Sequence, residues 1–147
     1  MKNTLCLALV TLMFLLTHKI GFGQNRQPDS IKVEFEGFNT ETFASVTCDA
    51  FDHTFLKTKK VKLIRTGEDL IELESLVTNF KYSKEKSLDV RGKVTYYYGM
   101  KTSKYCFDVF GAFYKDGRLY YNKKLLIAIS EYMYSNHPEY LDTLRYP

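Results

Sequence analysis

Residues 88–121 read LDVRGKVTYYYGMKTSKYCFDVFGAFYKDGRLYY, and their pattern decides the fold class. Leu88, Val90, Val94, Tyr96 and Tyr98 share one parity, while Asp89, Arg91, Lys93, Thr95 and Tyr97 share the other. Alternation with period two makes an amphipathic strand with an apolar inner face and a charged outer one. Gly99 to Ser103 turns the chain. Tyr105, Phe107 and Val109 then face one way along a second strand, with Cys106, Asp108 and Phe110 facing the other. Asp116-Gly117 stands between Ala112–Lys115 and Arg118–Tyr121, and Asp-Gly is among the strongest short hairpin signals because both central residues need positive φ. These turns predict a three-strand antiparallel meander. Most of its aromatic residues are expected as core or cross-strand pairs, for which flat rings suit a pleated surface.

Outward from the meander, Ile31, Val33 and Phe35 alternate with Lys32, Glu34 and Glu36, a half-buried strand ended by Gly37. Residues 60–65 (KVKLIR) read as another strand. Thr66 is placed to cap a helix whose stripe is Leu70, Leu73, Leu76, Val77 and Phe80. Residues 82–87 (YSKEKS) read as a solvated connector. Residues 39–55 support two readings. One is a strand up to Cys48, followed by a turn or short helix through Asp49–His53. The other is a helix capped by Asn39 and carrying Phe43, Val46 and Ala50. Asn122 is placed to cap a second long helix with Leu125, Leu126, Ile129, Tyr132 and Met133 on its buried side, ended at Asn136-His137-Pro138. The tail to Pro147 offers Tyr140 and Leu144 for packing. The expected class is α+β: a largely antiparallel sheet including a C-terminal three-strand meander, with two helices packed on one face.

The first residues, MKNTLCLALVTLMFLLTHKIGFGQ, carry Lys2, an apolar run from Leu5 to Leu16, and small residues at Gly21 and Gly23. That is the layout of a secretory signal peptide over residues 1–23, and the apolar run is shorter than the roughly 20 residues of a membrane span. The Gly-Gln ending resembles the leaders of exported Bacteroidota proteins. Residues 24–29 then read as a flexible leader, and 30–147 as a single domain. No transmembrane segment is expected after cleavage. The absence of an Asn-x-Ser/Thr sequon favours a bacterial source, and the expected location is periplasmic or secreted. Removal of Lys2 and Lys19 takes the formal charge from +4 to +2. So weak a charge gives no electrostatic pull on nucleic acid, and no RNA-recognition pattern of aromatics is present. Cys48 and Cys106 remain in an oxidising compartment. As a disulfide they close a loop of about 58 residues, worth roughly 4 kcal/mol. As unlinked thiols they behave as small hydrophobes.

The chemical motifs are sparse. Cys48 and His53 are the only pair resembling a thiol nucleophile and its base, and a disulfide removes the nucleophile. Asp49, Asp52 and His53 gather three donors without a recognised metal spacing, so a polar turn with solvated carboxylates is the plainer reading. No phosphate loop, dinucleotide fingerprint or hydrolase elbow is present. No cofactor, metal or catalytic residue is therefore assigned. Asp89, Arg91 and Lys93 share a strand face and, with Tyr97, Tyr114 and Tyr121, form a candidate binding surface; alternatively the charges only keep the face soluble. The leading functional expectation is an exported, non-catalytic binding or interaction domain for an envelope or extracellular protein. The alternative is a small-ligand carrier or enzyme with an aromatic pocket between sheet and helices, lined by Tyr96, Tyr98, Tyr105 and Phe107.

Overall fold

A computed structural model of the chain describes residues 27–84 and 87–136. The expected signal peptide, the first leader residues and the tail from His137 onward lie outside them. The meander is built from β4 (Gly92–Tyr98), β5 (Lys101–Phe107), β6 (Ala112–Lys115) and β7 (Arg118–Tyr121), each antiparallel to the next. It has four strands where the sequence suggested three. Asp116 takes φ 48° and Gly117 φ 81°, the left-handed pair that an Asp-Gly hairpin requires. The first turn is tighter than expected: Tyr98 pairs with Lys101 across Gly99-Met100, and β5 has begun by Lys101. Val109 and Phe110 are not strand residues. The Asp108 carboxylate accepts hydrogen bonds from the amides of Phe110, Gly111 and Ala112 at 2.8–2.9 Å, which folds the chain into a turn between β5 and β6.

β1 (Ser30–Phe35) lies beside β4, β2 (Lys60–Ile64) lies outside β1, and β3 (Lys81–Tyr82) closes the far edge. One seven-stranded antiparallel sheet results, in the order β2-β1-β4-β5-β6-β7-β3. Tyr82, expected in a solvated connector, therefore pairs with Tyr120 of β7. Gln27 to Asp29, expected as part of a flexible leader, are tied down. Gln27 donates to the Gly67 carbonyl, the Asp29 amide to the Tyr97 carbonyl, and the Asp29 carboxylate accepts from the Gly99 amide.

α2 (Gly67–Val77) and α3 (Lys123–Met133) cover one face of the sheet, as the two apolar stripes predict. Leu70 and Leu73 of α2 and Leu125, Leu126, Ile129 and Met133 of α3 pack on Ile31, Val33, Phe35, Val94, Tyr96, Tyr105, Phe107 and Phe113. Fully burying each such side chain contributes about 1.5–3 kcal/mol. The Phe107 ring lies across Gly92, where an added Cβ would fall 2.2 Å from its Cζ, so glycine is what admits the ring. Asn122 joins the two helices. Its side chain accepts from the Leu125 amide to cap α3 and donates to the Leu76 carbonyl at the end of α2. Thr66 precedes α2 in an extended conformation, but its side chain makes no capping bond, contrary to expectation. No helix of the described residues is long and apolar enough to cross a membrane.

The opposite face carries a different layer. Residues 38–50 run as bends and turns into a single helical turn, α1 (Phe51–Thr54). Neither expected reading of 39–48 holds: there is no strand there, and no helix grows from Asn39. The Val46 amide goes to the Asp89 carboxylate and its carbonyl to the Val90 amide, so the segment touches the sheet without joining its ladder. Val46, Phe51 and Phe55 form a second small core with Val90 and Cys106.

Candidate functional site

The outer layer is held down by polar ties, and these use the residues expected as an exposed binding face. Arg91 and Lys93 are only 5% and 3% exposed. The Arg91 guanidinium pairs with Asp89 at 2.7 Å, donates to the Thr42 hydroxyl at 3.1 Å, and lies 5.8 Å from the centre of the Phe55 ring. Lys93 pairs with Asp52 and sits 5.1 Å from the centre of the Phe51 ring. Lys59 reaches the same Asp52 at 2.5 Å and Glu34 at 3.2 Å. Hydrogen bonds from Lys59 and Lys93 hold the Asp52 carboxyl down at about 2, against some opposing desolvation. At Glu34, burial pushes the carboxyl up, but Lys32 and Lys59 outweigh it and leave the group below the ordinary carboxylate value. The expectation that Arg91 and Lys93 form the accessible rim is therefore corrected. They are covered because their partners, Asp52 and Thr42, come from a distant stretch of chain.

Cys48 and Cys106 meet at disulfide distance, with Cα atoms 5.7 Å apart. Cys106 lies on the outer face of β5, opposite Tyr114 of β6. The pair therefore fixes residues 45–49 over the C-terminal end of β5, with an open space beyond it. That space is a cleft of about 640 Å³ bounded by three pieces of chain. Ser45, Thr47, Cys48 and Asp49 form one wall, Tyr82, Ser83, Ser87 and Leu88 another, and Tyr114 with Gly117, Arg118 and Leu119 of the β6–β7 hairpin the third; Val90 contributes as well. Tyr114 is exposed on the outer face, so its ring surface is available to a ligand, while Tyr82 contributes to the wall from β3 with its ring set by register on the side of Tyr120. Around them stand hydroxyl groups, one carboxylate and one guanidinium. Aromatic surface bordered by a few polar groups is the usual make-up of a ligand cleft. The lining described includes one carboxylate, Asp49, and no imidazole, so it assembles neither a paired-carboxylate nor a nucleophile–base arrangement.

The expected site residues divide. Tyr114 lines the cleft, and Cys48 supports it. Asp89 is not a lining residue; its carboxylate accepts from the Val46 amide and the Arg91 guanidinium. Tyr97 is half-buried beside Lys32, and Tyr121 is exposed on β7 but is not a lining residue. Tyr96, Tyr105 and Phe107 are buried in the core under the helices. Tyr96 and Tyr105 meet edge to face at 6.0 Å between ring centres, and Phe80 stacks on Tyr105 at 5.1 Å. Tyr98 is partly buried and donates to Glu74 at 2.7 Å. Asp52 is engaged by two lysines, and among the described residues no group of three His, Cys, Asp or Glu side chains could hold a metal ion. Tyr82, Asp49, Arg118 and the serine hydroxyls were not identified from the sequence as a site. Three chain segments supply them, and no local spacing relates them. Compared with protein-family models, curated proteins and solved structures, the chain matches none of them.

Proposed function

We propose that this chain is an exported, non-catalytic binding domain that holds its ligand in the outer-face cleft. The observation that carries this reading is the open cleft of about 640 Å³ with the exposed ring of Tyr114 on its outer-face wall. Tyrosine combines flat apolar area with a hydrogen-bonding tip and loses little rotamer freedom on binding. The meeting of Cys48 and Cys106 supports an oxidising, extracytoplasmic location, where a disulfide persists. Against the thiol-enzyme reading of Cys48 with His53 stands the engagement of Cys48 with Cys106.

The alternative, a carrier or enzyme with a pocket between sheet and helices, is not favoured by the packing of Tyr96, Tyr105 and Phe107. The test is site-specific photocrosslinking in the native envelope. A photoreactive phenylalanine in place of Tyr114 is expected to give a discrete adduct, whereas one in place of Ile71, exposed on α2, is expected to give none. Equal labelling at both positions, or none at Tyr114, would count against the cleft.

A further inference from the structure

At the sheet edge remote from the cleft, β2 is five residues long and, among the described residues, has a neighbour on one side only, β1. The other edge strand, β3, has just two residues. An edge strand presents unpaired backbone donors and acceptors and is a template for another strand. On β2 the side chains are sorted. Val61 and Leu63, on the outer face opposite Glu34 and Lys32, are 54% and 48% exposed. Lys60 and Lys62 alternate with them on the helix face, and Lys57 and Arg65 flank the strand, both exposed. Lys59 is already engaged by Asp52 and Glu34, and Lys60 lies in the field of Glu36. Residues 57–65 themselves contain no acidic side chain.

We propose that β2 accepts an added strand from a partner segment in which acidic residues alternate with apolar ones. Backbone pairing along β2 supplies the main-chain contact. The period of two then sets the partner's apolar side chains beside Val61 and Leu63 and its carboxylates beside Lys60 and Lys62. Charge decides between the two candidate occupants. A second copy of this chain pairing β2 to β2 would stack lysine on lysine, and edge lysines are a known guard against such self-pairing. An acidic strand meets the same lysines favourably, so one feature excludes the copy and selects the partner.

The probe is a short capped peptide alternating glutamate with valine, titrated into the intact protein at low salt. Binding is expected, weakening as salt is raised. Methylating the peptide's alternate backbone nitrogens on one edge, then separately on the other, is expected to abolish binding for at least one of the two. The Lys60→Glu, Lys62→Glu double variant is expected to bind at least about tenfold more weakly. Tyr114→Ala, in the cleft, is expected to leave binding unchanged. No binding at roughly 1 mM peptide would overturn the proposal. So would undiminished binding by both methylated peptides, undiminished binding by the lysine double variant, or dimerisation of the protein alone through β2. The methylated peptides test backbone pairing without altering the protein, so a variant that folds poorly does not obscure the result.

Discussion

The two faces of the sheet are finished by different chemistry. Under α2 and α3 the seal is apolar: aromatic and aliphatic side chains from the central strands interlock with two helical stripes. On the outer face a segment with little secondary structure is fastened by ion pairs, backbone-to-carboxylate bonds and the Cys48–Cys106 contact, over a small core centred on Phe51 and Phe55. The first kind of seal is non-directional and spreads its energy over many contacts. The second concentrates it in a few named ties. An apolar layer fills space, whereas a tied layer can stop short and leave a cleft beside it. This difference explains why the cleft lies on the outer face.

The comparison can be broken most severely from the helix face. Phe107→Ala should remove about 3–5 kcal/mol and lower the thermal midpoint for every probe together, because the cavity opens in the shared core. Replacing Cys48 and Cys106 together by serine should cost about 2–4 kcal/mol by chemical denaturation. It should also loosen residues 45–49 more than the strands, seen as faster proteolysis within that segment. If the two changes gave indistinguishable local effects, the distinction between the faces would fail.

Asp52→Asn is smaller, about 1–2 kcal/mol, since half-exposure of the carboxylate discounts a loss that would be larger if Lys93 and its partner were both fully enclosed. Its pH signature is specific. The Asp52 carboxyl is held at about 2 in the folded chain against an ordinary value of 3.8. Its stabilisation is thus complete above the unfolded value and disappears as pH falls from about 4 towards 2. Glu34 and Glu36 are shifted in the same direction and add to the acid sensitivity. Denaturation curves taken across this interval should fall less steeply with acid for Asp52→Asn than for the parent chain. Asn122→Ala, which removes the cap on α3 and the tie to α2, should cost about 1 kcal/mol without changing the acid profile.

Where local chemistry decides, the sequence was readable. Asp116-Gly117 admits few conformations other than the hairpin, Asn122 caps because its side chain reaches its own helix, and Val94 and Tyr96 face inward by simple alternation. The outer face resisted for a physical reason. Alternation correctly put Arg91 and Lys93 on the side opposite Val94, but it cannot say whether that side meets water or another part of the chain. Lys93 is covered because Asp52, 41 residues away, provides its counter-charge. The same holds for the cleft, where Tyr114 could be singled out by type but its companions Tyr82 and Asp49 are related to it only through the tertiary fold. Thr66 shows the limit of local signals as well, since it stands in the capping position without making the capping bond.

The most direct measurement is residue-resolved amide hydrogen exchange on the oxidised protein and after reduction with an excess of thiol. With a bridge between Cys48 and Cys106 fastening the outer layer, reduction should speed exchange at Val46 and Val90, whose amides bond to Asp89 and to the Val46 carbonyl. Val33 and Val94, in the strands beneath the helices, should remain as protected as before. Unchanged exchange at Val46 and Val90, or a uniform rise that includes Val33 and Val94, would contradict a separately tied outer face and the cleft it supports.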